Sequence, residues 1–147
     1  MKSKPAKQPR SHSAKTNGNQ GEDGNKQFSI VAIGASAGGL EAVTQLMSRL
    51  PQDTGMAFVL IQHLDPKHHS MLTELVSRAT SMRVLEAKHE LAVNPNHLYV
   101  IPPNVSMSIF AGRLQLTPRE PGRSTHMSVD RFMRSLAAVS YTHLTLP

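Results

Sequence analysis

Two residues carry the reactive chemistry of this sequence: Ser36, in the run "GASAGG", and His63, in "QHLDP". Gly34-x-Ser36-x-Gly38 has the form of a nucleophile elbow, in which a serine is presented on a tight strand-to-helix turn. A serine hydroxyl is a poor nucleophile until a neighbouring base takes its proton, and histidine is the usual base. The same glycines, Gly34 and Gly39, also fit the outer positions of a G-x-G-x-x-G dinucleotide loop, with Ser36 where the middle glycine belongs. That second reading needs an acid for the ribose hydroxyl. Asp65 is available, but it lies 26 residues beyond Gly39 (65 − 39), far for the usual spacing. Ser36 would also fill the space a pyrophosphate needs. Hydrolysis therefore leads and nucleotide binding is the alternative.

The elements that must position these residues follow from hydrophobic patterning. "FSIVAI" reads as a buried strand, and "MAFVLIQ" as a second. Between them Leu40, Val43, Leu46, Met47 and Leu50 mark one face of a helix that Pro51 ends. Met71, Leu72, Leu75, Val76 and Ala79 mark another, with Ser70 as its expected cap. "MRVLEA" and "HLYVI" follow as strands, then "SMSIF-AG-RLQLT" as a hairpin turning at Gly112. Val129, Phe132, Met133, Leu136 and Ala137 face the core from a last helix, with Asp130 expected near its positive N-terminal end. The order predicts a three-layer α/β/α fold with a mainly parallel, doubly wound sheet. Ligands gather beyond the carboxyl ends of such strands, where both "GASAGG" and "QHLDP" fall. Successive strands are commonly neighbours, which would bring Ser36 and His63 to one end of the sheet.

Composition narrows the classes. The first 27 residues contain no Ile, Leu, Val, Phe, Trp or Tyr, and read as a disordered basic arm. They hold six Lys/Arg against two Asp/Glu, so +4 of the formal +6 lies there. The high pI belongs to this arm, and nucleic acid is not expected as a partner. No apolar run is long enough for a membrane span. The absence of cysteine excludes thiol catalysis and fits a cytoplasmic protein. His63, His68, His69 and Asp65 follow no familiar metal pattern, so neither metal nor cofactor is expected. Arg119, Arg123 and Arg131 read as solvated charge, with an anion-binding surface as the sharper alternative.

At these residues the sequence resembles a known family. "VAIGASAGGLEAV", "FVLIQHLDP", "LYVIPPN" and "SVDRFMRSLA" together, from about Phe28 to Val139, are similar to the catalytic domain of the chemotaxis methylesterases, the CheB family. "GASAGGLEA", "DTGMAFVLIQHLDP" and "PNHLYVIPPN" look most like the form fused to a CheR-type methyltransferase. The resemblance implies hydrolysis of glutamate γ-methyl esters on the cytoplasmic helices of chemoreceptors, with glutamine deamidation in some members. It implies Ser36 as nucleophile and His63 as general base, to which physical argument adds the Ala37 backbone N–H as oxyanion donor. The resemblance places the triad aspartate in a glycine-rich turn after a further strand, downstream of "SVDRFMRSLA", and no counterpart is expected here: Asp130 matches a helix start, and Asp65 follows His63 too closely. The expected organisation is thus an arm over 1–27, an incomplete methylesterase domain over 28–140, and an atypical tail over 141–147. The arm leaves no room for a receiver domain. Such a fragment is expected to be impaired, and a catalytically inactive docking module remains an alternative.

Overall fold

The computed structural model describes residues 27–62, 69–119 and 126–143. Four parallel strands form the central sheet in the order β1-β2-β5-β3: β1 (Ile30–Ala35), β2 (Ala57–Gln62), β5 (His97–Val100) and β3 (Arg83–Glu86). The connections β1–α1–β2 and β2–α2–β3 supply helices α1 (Leu40–Arg49) and α2 (His69–Ala79). A second, antiparallel sheet has the order β4-β7-β6, from β4 (Leu91–Ala92), β6 (Val105–Phe110) and β7 (Arg113–Pro118). Helix α3 (His126–His143) closes the order of elements and runs into the first residues of the stretch that begins at Tyr141.

Alternation along β2 explains the layers. A strand sends successive side chains to opposite faces. Ala57, Val59 and Ile61 join Tyr99, Met107, Ile109, Leu114 and Phe132 in one buried cluster. Phe58 and Leu60 join Val43, Met47, Leu72, Val76 and Leu98 in the other. The whole of β2 is buried, as its unbroken apolar run predicts. One outer layer is therefore α1 with α2. The other is shared by α3 and the antiparallel sheet, a richer third layer than helices alone.

Several local expectations shift. The first strand runs to Ala35, past Gly34, because its ladder with β2 continues through Gly34↔Ile61 and Ala35↔Gln62. It is half-buried and not fully so, since among the described residues it pairs only with β2. Leu46, Met71 and Leu75 were expected in the core but are exposed, at 45%, 56% and 38%. Val43 with Met47, and Leu72 with Val76, already fill the seam against the sheet. Ser70 lies within α2, which begins at His69, and does not precede it. Asp130 sits beyond the first turn of α3, where it pairs with Arg134 at 2.8 Å. The hairpin turns at Ala111 and Gly112, both at positive φ (48° and 72°), the backbone of a two-residue turn matched to strand twist.

Tyr99 joins the two sheets. Its hydroxyl accepts from the Asn94 N–H at 2.8 Å and donates to the Ala92 carbonyl at 3.3 Å. No described helix is long and apolar enough to cross a membrane.

Candidate functional site

The chain leaves β1 at Ala35 and Ser36 is the next residue, exposed and extended at φ −83° and ψ 175°. This backbone is relaxed, so the serine is presented without the strain of a sharp elbow. A short 3-10 turn over Ala37–Gly39 follows, closed by the Gly39 N–H donating to the Ser36 carbonyl at 2.9 Å. Helix α1 begins directly after it. The Ser36 side chain makes no capping hydrogen bond to this turn. Its hydroxyl is thus not consumed by the local structure it introduces. The turn presents its leading N–H groups, that of Ala37 first among them, at the positive end of the helical segment.

The glycines have separate physical reasons. A Cβ on Gly34 would stand 2.7 Å from Val129 Cγ1, so α3 can lie against β1 only where no side chain intervenes. A Cβ on Gly39 would stand 3.0 Å from that of Ala35. A Cβ on Gly38 would meet nothing within 4 Å. Gly38 instead lines an open groove of about 640 Å³ between α1 and α2, shared with Leu40, Thr44, Leu75 and Arg78. None of the three glycines stands at positive φ. Packing against Val129 therefore accounts for Gly34 without any bound phosphate.

Gly34→Ala is accordingly expected to destabilise the fold by about 1–3 kcal/mol through overpacking. Adding Val129→Ala should recover most of that loss, since residues in contact couple. Urea unfolding of the two single variants and the double variant measures it. Additive losses would show that this contact is not the cause.

The register sets what stands opposite the serine. Ala35 pairs with Gln62, and the residues that follow this pair are Ser36 and His63. Adjacent strands lie roughly 4.8 Å apart. β1 and β2 thus end side by side at the carboxyl end of the sheet. His63, Asp65 and His68 lie outside the described residues, as does Arg123. Arg119 follows β7, its N–H donating to the Asn104 carbonyl at 3.0 Å, and Arg131 is exposed on α3. These two arginines lie on different elements of the third layer. Asp130 is committed to Arg134 on the surface of α3 and does not orient a base at the end of β2.

Sequence reasoning passed over Gln62. It is 3% exposed, and its Nε2 donates to the Ser36 carbonyl at 3.0 Å. Its Oε1 is buried without a hydrogen-bond partner among the described residues. The available signal was an amide ending an otherwise apolar strand, "AFVLIQ", since buried polar groups need a partner.

The chain is 33% identical over 112 residues to a protein-glutamate methylesterase/protein-glutamine glutaminase of Syntrophus aciditrophicus, covering 76% of this chain and 32% of that protein. It is 30% identical over 109 residues to the protein-glutamate methylesterase FrzG of Myxococcus xanthus, covering 74% of this chain and 33% of that one. The chain spans about a third of the length of these relatives. Its fold matches the crystal structure of the Thermotoga maritima CheB methylesterase catalytic domain with a TM-score of 0.66 at 21% identity, over 77% of this chain and 62% of that one. The family model described as CheB methylesterase matches residues 31–145, which contain every strand but the first residue of β1, the serine turn and all three helices. The chain belongs to the CheB methylesterase family.

Proposed function

We propose that this chain is the hydrolytic part of a protein-glutamate methylesterase, with Ser36 as nucleophile and His63 as general base. The observation that supports the reading is the Ala35↔Gln62 register: the residues next in sequence after this pair are an exposed serine and a histidine. Ser36 Oγ attacks the ester carbonyl of a methylated glutamate side chain while His63 takes the hydroxyl proton. The Ala37 N–H faces the oxyanion of the tetrahedral intermediate. Collapse breaks the bond to the methoxy oxygen, His63 returns the proton, and methanol leaves. Water, deprotonated in turn by His63, then frees the carboxylate from Ser36. With a glutamine side chain the same steps release ammonia, the second activity in the name of the Syntrophus relative.

The substrate is a polypeptide, in keeping with an exposed nucleophile and an open groove lined in part by Gly38. Methylated chemoreceptor helices in the cytoplasm are the proposed partner, with a CheR-type methyltransferase, fused or separate, supplying the ester. An acid that orients the base is commonly worth about 10⁴ in kcat, and none is assigned among the described residues.

A fluorophosphonate probe tests the assignment. Labelling of the wild-type chain that disappears in Ser36→Ala is the expected result. Equal labelling of both would leave Ser36 a structural residue and favour a docking module.

A further inference from the structure

We propose that Gln62 is a positioning residue that aims the oxyanion donor. This rests on the reading of Ser36 as nucleophile and adds a residue to it. The carbonyl that Gln62 Nε2 holds at 3.0 Å is that of Ser36, and it belongs to the same peptide unit as the Ala37 N–H. No peptide among the described residues is cis. In a planar trans peptide the C=O and N–H point in opposite directions, so holding one edge sets the direction of the other. Gln62 lies behind the turn, buried at the end of β2. Its amide fixes the carbonyl from the core side and directs the Ala37 N–H away from the core, toward the side where Ser36 is exposed. The Gly39 N–H meets the same carbonyl at 2.9 Å, so two donors lock this one plane. Donation to the carbonyl also polarises the peptide and strengthens its N–H as a donor.

Stability alone gives Gln62 little reason to be an amide. Its Oε1 is buried without a partner among the described residues, a condition that costs free energy relative to an apolar side chain of equal size. Orientation of the amide is not in doubt, because only the NH2 group can face a carbonyl oxygen. The half that is satisfied is the half that touches the nucleophile's peptide. That asymmetry is what a positioning role requires.

The test compares wild type with Gln62→Met and Gln62→Leu, which keep an apolar bulk and remove the donor. Fluorophosphonate labelling is followed over a range of probe concentrations to separate the maximal labelling rate from half-saturation, alongside thermal unfolding. The maximal rate is expected to fall about 10- to 100-fold, short of the loss of an entire oxyanion donor. Half-saturation should hold within about threefold, and the melting temperature should hold or rise. The Ala37 amide resonance of 15N-labelled protein should shift in both variants. Unchanged maximal rates in folded variants would overturn the proposal and leave Ser36 as nucleophile. A wild type that does not label would overturn the nucleophile and this proposal together. Loss of the fold in both variants would overturn it too, since the amide would then serve stability.

Discussion

Replacing Ser36 by alanine is expected to lower hydrolysis of a γ-methyl-glutamyl peptide about 10²-fold in the 147-residue chain, with His63→Ala costing the same and the double variant no more. A nucleophile and its base act as one device, so removing either leaves the other without a task. In serine hydrolases the loss of serine or histidine costs about 2 × 10⁶ in kcat, and loss of the orienting acid alone about 3 × 10⁴. Where that acid is absent, the difference left to Ser36 and His63 is about 10², the ratio of those two numbers. No orienting acid is assigned here, since Asp130 is spent on Arg134. Asp65→Asn should then change the rate less than threefold, because Asp65 is assigned no part in the proton transfer. Methanol release measured on the four variants decides it. Losses that multiply in the double variant would mean that the two side chains act independently. A large loss in Asp65→Asn would assign the orienting carboxylate to the loop after β2.

Much of this arrangement was legible before any coordinates. The run "AFVLIQ" has no polar residue before its last, and a strand buried on both faces needs that pattern. The Ala111–Gly112 pair between two alternating stretches announced the hairpin. The expectation that the first two strands are neighbours holds, for they are paired over six residues up to Ala35↔Gln62. What escaped was tertiary. β4 is two residues long, too short for any periodicity, yet it adds a third strand to the hairpin's sheet. β5 inserts between β2 and β3, an order no local signal encodes. Gly34 looked like part of a turn, whereas it is a strand residue whose missing side chain makes room for Val129, nearly a hundred residues on. Gln62 was read as the end of a strand. Its meaning lies in a hydrogen bond to a residue 26 positions away.

Phe132→Ala is expected to destabilise the fold by about 3–5 kcal/mol, more than any surface change, and to slow reaction at Ser36 as well. Phe132 is fully buried on α3, within the cluster formed by Val59, Ile61, Tyr99, Met107, Ile109 and Leu114. These residues come from the parallel sheet and from the antiparallel one, so a single ring fills the space where the two sheets and the helix meet. Truncation removes its transfer free energy and leaves a cavity that three elements of fixed geometry cannot close. Nearby, the Ile109 N–H donates to Ser135 Oγ at 3.0 Å, which ties α3 to β6 one turn further along the helix. One turn before Phe132, Val129 packs where Gly34 has no side chain. Loosening α3 therefore withdraws the support behind the end of β1, from which Ser36 is presented. Urea unfolding of Phe132→Ala should show the loss of stability, and fluorophosphonate labelling well below its unfolding midpoint should show a slower maximal rate. Met133→Ala is the internal control: Met133 lies next in sequence but is 36% exposed, and it should change either quantity little. A full loss of stability with an unaltered labelling rate would show that the serine turn is held by β2 and Gln62 alone, without help from α3.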